Sequence, residues 1–297
     1  MLALIVTGVV INPATASATI ADKRNDYDRD GVSDYLALDI WGCMHRYSGN
    51  GSGGFKSPVQ IGCGWNEYRN LTSSGQYADT YAVAAPGDIN GDGNGDLAAI
   101  TSGRPGSEGC LYRWLGNGNG GFQAGTLVGC GWGPYRDSLT GAGDLDGDGY
   151  GDLVALNNAD ELLRWSGNGS GGFRSAVRIG FSGWWGYGDS LNGVGDINRD
   201  GRADLVSINR TQWPDQCLYR FLNNGKGGVS SGVQVGCGWA NFQPTGMGDL
   251  NRDGIGDMVA INVQNLCMYR YLGTGNGGFS SGVQLGCGWD NRWYTIS

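Results

Sequence analysis

A nine-residue acidic pattern recurs five times, and nothing else in the chain constrains its folding as strongly. It reads Asp, any residue, Asp or Asn, any residue, Asp, Gly, two further residues, Asp. The copies are DYDRDGVSD from Asp26, DINGDGNGD from Asp88, DLDGDGYGD from Asp144, DINRDGRAD from Asp196 and DLNRDGIGD from Asp249, at steps of 62, 56, 52 and 53 residues. Self-similarity at a nearly fixed step means that one supersecondary unit is repeated and that neighbouring units bury each other's apolar faces.

The segments after each loop recur too. An apolar segment (DYLALD, DLAAIT, DLVALN, DLVSIN, DMVAIN) leads to one like CLYRW, then a glycine turn like GNGNGGF, a run like VQVGCGW and a segment like SLTGAG. Each piece is short, rich in Val, Ile, Leu, Tyr and Trp, and bounded by Gly, Asn or Asp, which reads as a strand. The 58 glycines of the 297-residue chain disfavour helix, and the 11 Trp, 14 Tyr and 7 Phe supply a core. Four strands per repeat predict an all-β propeller of five four-stranded blades, forming one domain over residues 19–297. A degenerate sixth blade from residues 1–25 is the alternative. RWYTIS at the C-terminus stands where the strand missing from the first repeat belongs, so the ends are expected to close blade 1 together.

The loops offer hard oxygen ligands on a tight turn. Side chains at positions 1, 3, 5 and 9 and the carbonyl of position 7 suit a divalent cation, with Gly at position 6 for the bend. The sets are Asp26, Asp28, Asp30, Val32 and Asp34; Asp88, Asn90, Asp92, Asn94 and Asp96; Asp144, Asp146, Asp148, Tyr150 and Asp152; Asp196, Asn198, Asp200, Arg202 and Asp204; Asp249, Asn251, Asp253, Ile255 and Asp257. All-oxygen donors favour Ca²⁺ over zinc or copper, about one ion per loop. A helix-flanked calcium loop would need Glu at position 12, where this chain has Ala37, Ala99, Ala155, Ser207 and Ala260. Metal-free Asx turns are the competing reading. The formal net charge of −8 argues against a nucleic-acid partner.

Eight cysteines fall into four pairs at a constant spacing of 20: Cys43 with Cys63, Cys110 with Cys130, Cys217 with Cys237, and Cys267 with Cys287. The third repeat has Glu161 and Phe181 instead. Joint loss of both members predicts a disulfide within each of the other blades. Zinc is disfavoured by the spacing and by the single histidine. Disulfides agree with export. LALIVTGVVI followed by Ala16-Ser17-Ala18 reads as a signal peptide ending at residue 18, or else as a short buried strand. The apolar run is too short to span a membrane.

Two further sets recur. One is an Arg before an aromatic, at Arg46, Arg113, Arg164, Arg220 and Arg270; the other is a Trp after the cysteine strand, at Trp65, Trp132, Trp184, Trp239 and Trp289. Both suit glycan recognition, the aromatic by stacking on a sugar ring and the Arg by donating to hydroxyls or carboxylates. Both equally suit packing between blades. His45 reads as a packing residue. Asp160, Glu161 and Asp189 lie outside the loops and form no acid/base pair, so no enzyme is expected.

The loops at blade spacing resemble the FG-GAP/VCBS repeat family, whose calcium-loop propellers occur in integrin α-subunit heads, some fungal lectins and many secreted bacterial proteins. The resemblance covers about residues 22–297, and the hairpin GNGSGGF is most similar to the exported bacterial members. Integrin-type heads have seven blades, whereas five loops are present here. The resemblance implies a secreted calcium-binding recognition module for a glycan, or alternatively for an extracellular protein. A hydrolase, or the targeting part of one, is the third reading.

Overall fold

The computed structural model describes residues 24–71, 77–102, 109–290 and 293–296. The expected signal peptide lies outside them. Five four-stranded antiparallel sheets succeed one another around an axis. From the centre outward, blade 2 consists of Val83–Gly87, Asp96–Ile100, Cys110–Trp114 and Thr126–Cys130. Blade 3 is built from Thr140–Gly143, Asp152–Leu156, Glu161–Trp165 and Val177–Ser182. Blade 4 is Asn192–Gly195, Asp204–Asn209, Cys217–Phe221 and Val233–Cys237, and blade 5 is Phe242–Gly248, Asp257–Asn262, Cys267–Tyr271 and Val283–Cys287. A two-stranded ribbon, Arg69–Leu71 with Tyr77–Tyr81, leads from blade 1 to blade 2.

Blade 1 closes the ring. Its outer three strands, Tyr35–Asp39, Cys43–Tyr47 and Val59–Cys63, come from the first repeat, and its innermost strand is the C-terminal Trp293–Thr295. The pairing is antiparallel, with Leu38 opposite Tyr294 and Asp39 opposite Trp293. The five-bladed, all-β expectation and the expected closure both hold.

Burial tracks the repeat. The second strand of each blade is buried along nearly its whole length, while the outermost strand is mostly exposed. The core is divided into five clusters, each shared by two adjacent blades: Leu36 and Met44 with Leu97 and Ala99, for example, or Tyr35 and Ala37 with Val259 and Ile261. Near the axis the inner strands approach backbone to backbone. A Cβ on Gly246 would fall onto the carbonyl of Gly193, and one on Gly141 onto that of Ala85, so only glycine fits there. Arg24 is packed among the innermost strands of blades 2 to 5. It is 1 % exposed, donates to the Gly246 carbonyl at 3.4 Å and packs near Gly87, Gly143 and Gly193.

Four disulfides join the third and outermost strands at directly opposed positions, Cys43–Cys63, Cys110–Cys130, Cys217–Cys237 and Cys267–Cys287, as expected. Blade 3 differs from the simple spacing. Its outer strand is one residue longer, and Glu161 lies opposite Ser182 rather than Phe181. Glu161 instead pairs with Arg178 at 3.0 Å, and Phe181 stacks on Trp184 at 4.9 Å. An ion pair across the same two strands thus stands where the other blades carry a disulfide.

Deleting residues 293–297 should leave the inner side of Tyr35–Asp39 as an unpaired edge. We expect a fall of several degrees in Tm and weaker cooperativity by calorimetry. An unchanged transition would show that the ring does not need this strand.

Candidate functional site: the acidic loops and the seams between blades

Each acidic loop leads into the second strand of its blade, in blades 2 to 5 directly from the innermost strand, and its conformation is fixed by its own carboxylates. The residue at position 4 takes a left-handed conformation in every copy, at φ 60 to 80° (Arg29, Gly91, Gly147, Arg199 and Arg252), and the position-6 glycine does the same. Three arginines therefore occupy a backbone region that disfavours a side chain. What holds them there is the position-1 aspartate, which accepts the position-6 N–H at 2.7–3.0 Å in all five loops. The position-5 aspartate accepts the N–H of position 7 at 2.9–3.0 Å. In blades 1, 3 and 5 position 7 turns its side chain under the glycine hairpin of its own blade, Val32 against Gly49, Tyr150 against Gly169 and Ile255 against Gly273.

Position 9 carries the deepest charge. Asp34, Asp96, Asp152, Asp204 and Asp257 are at most 1 % exposed. One oxygen of each accepts the N–H of loop position 2, and the other accepts an N–H from the hairpin, at Gly49, Gly116, Gly167, Asn223 or Gly273, all at 2.8–3.3 Å. Burial nevertheless dominates. It pushes Asp34, Asp96, Asp204 and Asp257 up to about 7 and Asp152 up to about 8. Burial also raises Asp26 and Asp144, with neighbouring carboxylates adding to the effect.

The residues present fit a hard divalent cation. Carboxylate oxygens of Asp26, Asp28 and Asp34 lie within 4.8 Å of one another, as do those of Asp144, Asp146 and Asp152. Asp28 Oδ1 is buried without a hydrogen-bond partner. The donors are all oxygen, and no neutral nitrogen or thiolate competes for the ion.

The arginine set lies at the seams. Arg113 donates to the Ser170 carbonyl of blade 3 at 2.7 Å, Arg220 to the Asn276 carbonyl of blade 5 at 3.0 Å and Arg270 to the Ser52 carbonyl of blade 1 at 2.5 Å. Arg164 bonds the Gly227 carbonyl of blade 4, and Arg46 packs on Gly120 of blade 2. Every blade therefore reaches the glycine hairpin of the next. A Cβ on Gly53, Gly120, Gly171, Gly227 or Gly277 would meet the arriving guanidinium, and all five have φ of 73–83°, which favours glycine there.

The tryptophan set closes the same seams. Trp65 packs on Trp114 with ring centroids 4.6 Å apart, Trp132 on Trp165 at 4.9 Å, Trp184 on Phe221 at 4.5 Å, Trp239 on Tyr271 at 4.9 Å and Trp289 on Tyr47 at 5.1 Å. In each case the partner is the aromatic after the arginine in the next blade. A third ring joins each pair: Tyr68, Tyr135, Tyr187, Phe242 or Trp293. These third rings were missed in the sequence, although their spacing of three or four residues after the Trp recurs there. His45 bonds Asp39 at 3.0 Å and meets the edge of Trp293. Asp39 also accepts the N–H groups of Trp41 and Cys43, so this pair braces a turn.

At the seam between blades 1 and 2 a cleft of about 280 Å³ remains open. Trp65, Tyr68, Trp114 and Phe122 form its aromatic wall, and Glu67 and Gln123 are its polar side chains. Neither Glu67 nor Phe122 was singled out in the sequence.

The seam and the buried carboxyls each give a measurable outcome. Trp184 is fully buried, so Trp184→Ala should cost about 3–5 kcal/mol in urea denaturation; a cost below about 1 kcal/mol would mean that the seam tolerates its loss. The position-9 carboxyls titrate near 7–8 in the folded chain and near 3.9 when unfolded. Raised values favour the protonated fold, so this stability is complete below about pH 4 and is lost as pH rises through 7–8. In EDTA, Tm should therefore fall between pH 5 and pH 8, and a rise over that window would contradict the burial argument.

No curated protein matches the chain in sequence. Among solved structures, a lectin of Agrocybe aegerita described as recognising non-reducing terminal N-acetylglucosamine is 18% identical at a TM-score of 0.45, over 89% of this chain and 82% of that one. The Bacteroides ovatus xyloglucan PUL GH43B is 13% identical at a TM-score of 0.45, over 86% of this chain and 56% of its own. A GH43 glycoside hydrolase with an engineered active site is 11% identical at a TM-score of 0.45, over 89% and 55% respectively. The chain thus spans just over half the length of these two hydrolases, and likenesses this distant carry no information on ligand or activity. The family model described as FG-GAP-like repeat matches residues 88–155, 144–207 and 196–260, each span running from one acidic loop past the next. These spans cover more than half of the chain, and the protein belongs to the FG-GAP-like repeat family.

Proposed function

We propose that this propeller is a secreted, non-catalytic, calcium-binding module that recognises glycans. The cleft between blades 1 and 2 carries the reading. Its aromatic wall suits the apolar face of a sugar ring, and Glu67 and Gln123 at its rim suit hydroxyl groups. Four disulfides support an oxidising compartment, and no helix of the described residues is long and apolar enough to cross a membrane.

Calcium at the acidic loops would neutralise the buried position-9 charge and fix each loop against its hairpin. The aspartates, the position-3 residues and the position-7 carbonyls would hold it.

Extracellular protein adhesion is the second reading, favoured by a separate surface. Trp213 on blade 4 is 80% exposed and Trp41 on blade 1 is 69% exposed, with Val263 and Leu266 exposed on blade 5 between them. All lie in turns between second and third strands, on three consecutive blades.

A glycan array probed with the protein in calcium and in EDTA tests the proposal. Glycan binding that requires calcium and is weakened by Trp114→Ala and Glu67→Gln is expected. Binding lost only in a Trp41→Ala, Trp213→Ala double variant, or pull-down of proteins without any glycan signal, would favour adhesion. Calcium should also raise Tm, and more at pH 8 than at pH 5, because it requires the carboxylates ionised.

A further inference from the structure

The five loops share a spacing but differ in chemistry. Position 3 is Asp28 and Asp146 in blades 1 and 3, and Asn90, Asn198 and Asn251 in the others. Two positions distant in sequence change with it. The residue after the Arg–aromatic pair is Ser48 or Ser166 in blades 1 and 3, but Leu115, Leu222 or Leu272 elsewhere. The residue closing the glycine hairpin is Lys56 or Arg174 in blades 1 and 3, but Gln123, Ser230 or Ser280 elsewhere.

The fold brings the three positions together. Ser48 donates to Asp28 at 3.0 Å and Ser166 to Asp146 at 2.7 Å. Lys56 pairs with the position-5 Asp30 at 3.0 Å, and Arg174 with Asp148 at 2.8 Å. In the other blades the position-5 carboxylate takes that bond from inside the loop, from the amides of Asn90, Asn198 and Asn251 at 3.0–3.1 Å. Replacing the amide by a carboxylate removes a donor and adds a charge. The serine supplies a donor to the position-3 carboxylate, and the basic residue replaces the amide as partner of position 5; more than half exposed, it offsets little of the added ligand charge.

A second contact separates the groups. Arg46 lies 2.5 Å from Asp28 and 3.2 Å from Asp34, and Arg164 lies 3.0 Å from Asp146. In these two blades the arginine of the seam also orients the position-3 carboxylate. In the other three it reaches the next hairpin, where Arg113, Arg220 and Arg270 bond backbone carbonyls.

We infer that the chain carries two classes of calcium site, a tighter pair in blades 1 and 3 and a weaker trio in blades 2, 4 and 5. The inference rests on the calcium reading above. Calcium affinity in such loops depends on ligand charge and rigidity, and the pair has a fourth carboxylate already held by a hydroxyl and a guanidinium.

Calorimetric titration of the chelator-stripped full chain with CaCl₂ tests it. Two sites should fill before three, with affinities separated by about tenfold or more. Exchanging the set in blades 1 and 3 (Asp28→Asn, Ser48→Leu, Lys56→Gln; Asp146→Asn, Ser166→Leu, Arg174→Gln) should merge all five into the weaker class. The reverse exchange in blade 2 alone (Asn90→Asp, Leu115→Ser, Gln123→Lys) should give three tight sites and two weak ones. Circular dichroism checks that each variant is folded, and either exchange suffices. Five equivalent sites, a tighter trio, or an unchanged two-and-three pattern in a folded variant would overturn the two classes while leaving calcium binding intact. Absence of any calcium binding would overturn both readings.

Discussion

The ring depends on a carboxylate buried at the ninth position of each acidic loop. Water would solvate that group far better than a protein interior does, so its burial requires good partners. It has two, one N–H from its own loop and one from the hairpin two strands outward. The same loop and hairpin are bonded to neighbouring blades. The N–H of Gly120 in blade 2 reaches the Tyr27 carbonyl in the loop of blade 1, Gly171 reaches Ile89, and Gly277 reaches Ile197. Loop conformation, hairpin position and the seam between blades are therefore set together. A cation that neutralises the loop would act on the whole ring.

The seams explain why so many residues repeat. A propeller blade cannot bury both faces alone, and each of the five cores is made by two blades. Stacked rings and a guanidinium on a backbone carbonyl form a join that can be used five times because each blade presents both halves. The ring closes when the last blade finds the first, and the strand at Trp293–Thr295 makes that closure hydrogen-bonded as well as packed. The recognition role proposed above would draw on features that vary from seam to seam. The open cleft at the first seam and the exposed tryptophans of blades 1 and 4 are such features.

Much of this was legible in the sequence because repetition works as an internal comparison. Five copies of one loop gave the repeat count and the loop positions that carry oxygens, and pointed to the five sheets of the structure. Loss of both cysteines in the third copy identified the bonded pairs, since the spacing of 20 recurs wherever both are present. The terminal RWYTIS could be placed in blade 1 because the first repeat lacked one strand. The one-residue lengthening that puts Ser182, rather than Phe181, opposite Glu161 was not legible, because a bulge alters register without altering composition.

The sequence alone determined the propeller, its repeat count, its disulfides and the residue types available to a cation, all of them properties of local pattern and spacing. Only the tertiary structure decided what the recurring Arg and Trp touch, because their partners lie in the next blade, distant along the chain and with no local signature. It also decided that the acidic loops differ. Asp28, Ser48 and Lys56 are separated in sequence and meet at one carboxylate cluster only when the blade folds.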